Sequence, residues 1–215
     1  MQLLKTDNTR RLMTYLASAG LALAAPLVHA HHPMDGKIPE TFMQGLLSGF
    51  GHPVIGIDHF AFLIVTALLA ATLVGRVRYL VPIAFVGATV AGTVYHLGAA
   101  DLPLAETVIA LSVLFGGLAV VLKSSASAVL LAVLVGAAGV YHGYAYGESI
   151  IGAETTPLLA YLLGFSLIQY AIIVSGIKIL DLVAARSERL SGLAFRLAGF
   201  STATVGAVFL GLSLG

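Results

Sequence analysis

The stretch His52-Pro53-Val54-Ile55-Gly56-Ile57-Asp58-His59 brings two imidazoles and a carboxylate within eight residues of chain. His96, Glu106, His142 and Glu148 follow, each at the edge of an apolar run. Neutral imidazole is a ligand for nickel, cobalt, copper and zinc, and carboxylates add hard oxygen donors that offset the charge of a divalent ion. The chain has no Cys, and its four Met form no soft cluster. Thiolate nucleophiles, Fe–S clusters and Cys-type zinc sites are therefore excluded, and Cu(I) is poorly served. A mixed nitrogen and oxygen set fits Ni(II) or Co(II) best. Copper and zinc stay open, because the affinity order favours copper wherever it is available.

The spacing constrains how these groups meet. Pro53 removes a backbone donor and Gly56 permits a bend, which puts His52 at or before a helix start. Asp58 and His59 then lie about a turn further in. Neighbours on a helix diverge by about 100°, so these two face one ion only if the helix breaks there. Otherwise one of them orients the other from outside the coordination sphere.

The elements that must position these residues are membrane helices. The chain has 215 residues, 59% hydrophobic and only 10% charged, with mean hydropathy +0.99. Soluble domains carry about 25% charged residues, so a water-soluble globule is excluded, and disorder with it. A net charge of +1 gives no sign of a nucleic-acid partner. A bilayer core of about 30 Å takes about 20 helical residues. Six apolar segments qualify: 56–75, 79–97, 104–122, 126–146, 157–180 and 197–214. The fold class is all-α, a polytopic membrane helix bundle of six transmembrane helices after a cleaved N-terminal signal peptide.

That signal peptide is residues 1–30. Lys5, Arg10 and Arg11 precede an apolar stretch from Leu12 to Leu27, and Val28-His29-Ala30 makes a small-x-small exit. The mature chain begins at His31-His32, whose imidazoles are a further place to hold a divalent ion. Residues 31–215 form one six-helix domain, with 31–50 as a periplasmic N-terminal segment. On this topology Arg76, Arg78, Lys123, Lys178, Arg186, Arg189 and Arg196 fall inside, and Lys37 alone falls outside. Such a bias fits the positive-inside rule. It places the chain in a bacterial inner membrane, multi-pass, with the mature N-terminus and the C-terminus both periplasmic. The charged stretch from Asp181 to Arg196 reads as a cytosolic connector.

The same topology draws His52, Asp58, His59, His96, Glu106, His142 and Glu148 into one layer near the outer face. Ionisable groups at membrane depth are costly and mark functional sites. Gly139, Gly143 and Gly147, four residues apart, give the fourth segment a small-xxx-small packing face beside His142. Tyr95, Tyr141, Tyr144 and Tyr146 read as an interfacial aromatic belt.

These features resemble the HupE/UreJ family of small membrane proteins. Its motif HPxxGxDH is met by His52, Pro53, Gly56, Asp58 and His59. A second pattern, HGxAHGxE, is similar to the stretch carrying His142, Gly143, Ala145, Gly147 and Glu148, with Tyr146 in place of the second His. Glu106 to Ser112 is similar to a weaker pattern of the family. Leu63 stands where a Met is common, and the fifth segment carries Gln169 and no His. The resemblance implies a secondary permease for nickel or cobalt, not an enzyme. Its metal ligands would be His52, Asp58, His59, His96, Glu106, His142 and Glu148, assisted by His31 and His32. The partners this admits are the metal ion as substrate, the lipid bilayer, a second copy of the chain and a metallochaperone.

No ATP-binding P-loop is present, so uptake would be driven by the membrane potential or an ion gradient. Two other readings use the same residues. One is an intramembrane zinc hydrolase, with Glu106 or Glu148 as base. The other is a periplasm-facing metal binder that transports nothing.

Overall fold

The computed structural model describes residues 37–99, 101–124 and 126–215. The expected signal peptide, His31 and His32 lie outside these residues. Among the described residues seven α-helices follow one another: α1 Phe42–Ile55, α2 Ile57–Ala71, α3 Leu80–Leu97, α4 Ala105–Val121, α5 Ala128–Glu148, α6 Thr155–Arg186 and α7 Glu188–Leu214. A 3₁₀ turn, Arg76–Tyr79, leads into α3, and no strand occurs among the described residues. The chain is a polytopic helical membrane protein. By length and composition α5, α6, α7 and the span Arg76–Leu97 are each sufficient to cross a bilayer, and α1 with α2 would make a fifth span. Helix α4 is apolar but has only 17 residues, about 25 Å at the α-helical rise.

A helix not expected from the sequence, α1, precedes the first apolar segment, and the chain bends where the two meet. Thr41 and Gln44 form a capping box that starts α1, each side chain bonding the other's backbone N–H at 3.2 Å. Helix α1 runs through His52 and Pro53 and stops at Gly56, whose extended backbone (φ −68°, ψ 103°) turns the chain by 76° into α2. His52 therefore sits in the last turn of a helix, not at or before a helix start. The cap at Thr41 nucleates a helix that Pro53, arriving only in its final turn, no longer prevents.

Helix α2 is buried almost all round. From Ala61 to Ala70 only Ile64 is partly exposed, as expected of a helix that is apolar on every face. It packs against α4, α6 and α7 and also touches α3 and α5. Around it stand three helix pairs brought close by glycine. A methyl group at Gly92 would strike the Val140 carbonyl of α5, and one at Gly143 would strike Thr89 of α3. Gly45 and Gly49 of α1 meet Pro157 and Tyr161 of α6 in the same way, and Gly117 of α4 meets Gly199 and Ala203 of α7. Lipid offers no hydrophobic drive between helices, so close backbone approach carries the association. The small-residue face expected on α5 is thus used against α3.

A further expectation changes. Asp181–Arg196 is not a loop: α6 continues to Arg186, Ser187 alone is extended, and its side chain caps α7 by accepting from Leu190 N at 3.3 Å. Arg78 pairs with Asp181 through two bonds of 2.6 and 2.9 Å, and Lys123 and Arg196 line one cavity. The basic residues gather at the end of the bundle where α2, α4 and α6 finish.

Gly143→Ala should destabilise the protein by about 1–3 kcal/mol, because the methyl group meets backbone that has no room to yield. Gly136, on the same helix but with open space where a Cβ would go, should accept Ala with unchanged or slightly higher stability. Unfolding of the two variants in detergent, followed by circular dichroism, distinguishes them.

Candidate metal site

At the end of the bundle opposite the basic residues, α2 and α4 begin and α1 and α5 finish. A small cavity of about 40 Å³ opens there, lined by His52, Asp58, His59, Glu106, Ile109, Ala145, Glu148 and Ser149. Its volume admits on the order of one to three water molecules or a partly dehydrated ion. His52, Asp58 and His59 are buried, whereas Glu106 and Glu148 are exposed at its mouth. Five of the expected donors thus share one space. The break at Gly56 places them, since it lets α1 deliver His52 and α2 deliver Asp58 and His59 to the same cavity.

The buried groups are held firmly. The Asp58 carboxylate accepts the His59 backbone N–H at 2.8 Å in the first turn of α2, where the helix dipole favours negative charge. His59 Nδ1 lies 2.8 Å from His142 Nδ1, and His142 Nε2 lies 3.1 Å from Ser112 Oγ. His52 Nδ1 lies 2.9 Å from both Ser149 Oγ and the Tyr161 hydroxyl. Leu104, in the left-handed region at φ 58°, turns the chain into α4 two residues before Glu106. A side chain rarely adopts that backbone, and such strain tends to collect at functional sites.

Two of the seven expected residues do not line the cavity. His142 is fully buried behind His59 and stacked on Phe62 with ring centroids 4.5 Å apart. His96, at the end of α3, lines a neighbouring cavity of about 310 Å³ with Asp101 and Tyr144, its ring 4.0 Å from that of Tyr144. The glycine-tight packing of α5 on α3 sets this separation, since Gly147 lies directly against the His96 side chain. Among the described residues no three His, Asp or Glu side chains already converge as ligands. Glu106 and Glu148 are exposed, unlike the other three donors that line the cavity.

Tyr146 is not part of an aromatic belt. It is fully buried, with its ring 4.9 Å from His52, 4.7 Å from His59 and 5.4 Å from Phe165. Its hydroxyl is buried without a hydrogen-bond partner among the described residues. Counting HGxAHGxE strictly from His142 places its final Glu at Ser149, one residue beyond Glu148. Both residues line the cavity, Ser149 from a buried position and Glu148 from an exposed one. Ser149 and Tyr161 are residues beside His52 that the sequence reading missed, whereas Ser112, which it noted only within a weaker family pattern, lies against His142. Their only signal is distance along helix faces, which matters once the partner helices are known.

A family profile described as HupE / UreJ protein matches residues 19–209. Protein HupE of Rhizobium leguminosarum bv. viciae is 30% identical over 190 residues, covering 88% of this chain and 93% of that protein. No solved structure matches.

A methyl group at Gly56 would lie 2.7 Å from His59 Cδ2. Gly56→Ala should therefore push the imidazole out of place and weaken divalent-metal affinity by about tenfold or more, with helix content unchanged. Titration calorimetry alongside circular dichroism reads both effects.

Proposed function

Because the chain belongs to the HupE/UreJ family, we propose that it is a permease taking Ni(II) or Co(II) from the periplasmic face and passing it inward. The cavity lined by His52, Asp58, His59, Glu106 and Glu148 receives the ion. The observation that carries this reading is that one small space, at the end opposite the basic residues, holds two buried imidazoles and three carboxylates from separate helices. Imidazole and carboxylate together suit a borderline divalent ion. Three negative charges near the positive end of α2 offset both the helix dipole and the cation.

The carboxylates at the mouth meet the hydrated ion first, and the buried imidazoles replace its remaining water as it enters. An inside-negative potential helps, since a divalent cation gains about 4.6 kcal/mol per 100 mV on crossing. Inward of the cavity the buried polar groups are sparse, Thr66, Thr89, Gln169 and Thr202 among them, so helix movement must open a path. His96, which lines another cavity with Asp101, serves as an outer collecting position.

Uptake of radioactive nickel and cobalt by metal-depleted cells tests the proposal. His59→Ala and Asp58→Ala should each reduce uptake at least about tenfold, with protein levels in the membrane unchanged. Uptake equal to the parent's in both variants sinks the assignment of this cavity as the ion's site.

A further inference from the structure

Between α4 and α5 runs a groove of about 670 Å³. Phe62, Val65 and Leu69 of α2 form its buried floor, whereas Phe115, Leu130 and Leu134 stand exposed at its rim. Glycine draws α4 onto α7 and α5 onto α3, and no such contact joins α4 to α5 among the described residues. Apart from Ser112, Ser124 and Tyr141, no residue lining the groove has a polar side chain. Water needs several polar partners to occupy such a space, so in a bilayer hydrocarbon fills it. From Val108 to Ala119 the α4 wall is about 16 Å long at the helical rise. That is about half of a 30 Å hydrocarbon core, the depth of one leaflet. The groove thus has the length of an acyl chain and not of a membrane-crossing helix.

Its polar end is equally defined. Ser124 and Ala126 also line a second cavity, of about 330 Å³, together with Lys123 and Arg196. No Asp or Glu lines that cavity, so nothing there would hold the ammonium of a zwitterionic headgroup. Basic pockets between membrane helices suit anionic headgroups. Lys123 occupies its place at a conformational cost. Helix α4 closes with the Ser124 N–H donating to the Ala119 carbonyl at 2.9 Å and the Lys123 N–H donating to the Val120 carbonyl at 3.1 Å. The turning residue of such a cap is ordinarily Gly, yet Lys123 fills it at φ 52°. Side chains held in that region collect at ligand sites.

We propose that Lys123, Arg196 and the groove between α4 and α5 bind an anionic phospholipid. Its phosphate lies between the two basic side chains, and one acyl chain runs over α2 towards Phe62. Bound there, the lipid joins α4 to α5, the neighbours that no glycine contact holds. The site shares no lining residue with the metal cavity and stands independently of the permease reading.

Full-length protein in mild detergent is offered phosphatidylglycerol or phosphatidylcholine and weighed by native mass spectrometry. The parent should retain the anionic lipid about tenfold over the zwitterionic one. Lys123→Gly combined with Arg196→Ala should abolish that preference. Lys123→Gly alone should lower it about threefold, while melting at or above the parent's temperature in lipid-free detergent, because glycine suits the cap. Ala137→Trp, which fills the groove from an exposed position, should reduce retention of both lipids. Lys37→Ala, at a residue lining neither cavity, should change nothing. Equal retention of the two lipids by the parent, an unchanged preference in the double variant, or unchanged retention in Ala137→Trp overturns the proposal. So does a lipid-free dimer, or a lipid-free chain still carrying residues 1–30, since a second copy or the apolar stretch 12–27 then fills the groove.

Discussion

The constraint on which the structure depends is that α2 is short, apolar on every face and buried. A helix of 15 residues is too short to cross a bilayer core of about 30 Å alone. It is stable where other helices wrap it, and those helices must come close. Glycine makes that approach possible in three pairs, α1 with α6, α3 with α5 and α4 with α7. The outward faces of these helices keep large apolar side chains exposed, Phe115, Leu134 and Leu163 among them. In lipid such exposure costs nothing.

Wrapping α2 also decides what lies at its start. Ending α1 at Gly56 and beginning α2 one residue later puts Asp58 and His59 inside the bundle, a position ionisable groups occupy only when paired. Here the pairing is made by neighbours that the wrapping helices deliver. His142 and Ser112 come from α5 and α4, and Ser149 and Tyr161 come from the end of α5 and from α6. The scaffold and the polar network are thus one construction. The helix contacts that bury α2 also supply the polar partners of His59 and of His52 at the end of α1, and Glu106 and Glu148 lie exposed beside them.

Much of this was legible in the sequence for a physical reason. A bilayer forces every backbone polar group to be satisfied within its own segment, so apolar run length reads out helices directly. Each of the six runs contains a helix. Gly56 marked the bend too, whereas Pro53 suggested a helix start that α1 runs straight through. Tyr146 was misread because a tyrosine near a helix end looks the same whether it faces lipid or core. Its burial depends on Phe165 and Tyr161, and on how their helix, α6, folds back against α5. His96 was grouped with the others by depth alone, and depth does not say which side of α3 it faces.

The sequence by itself determined the class of protein, the helices and the chemistry of the donors, because composition, run length and residue type are local properties. It also marked which end of the molecule gathers carboxylates and which gathers arginines, since charge follows helix ends. Only the tertiary structure decided the membership of the site. Whether His52 meets Tyr161, or His142 stands behind His59 and not beside it, depends on how helices rotate and cross. Those rotations are set by glycine contacts between segments far apart in the chain. A one-residue change of register would move each side chain about 100° around its axis and compose a different cavity from the same residues.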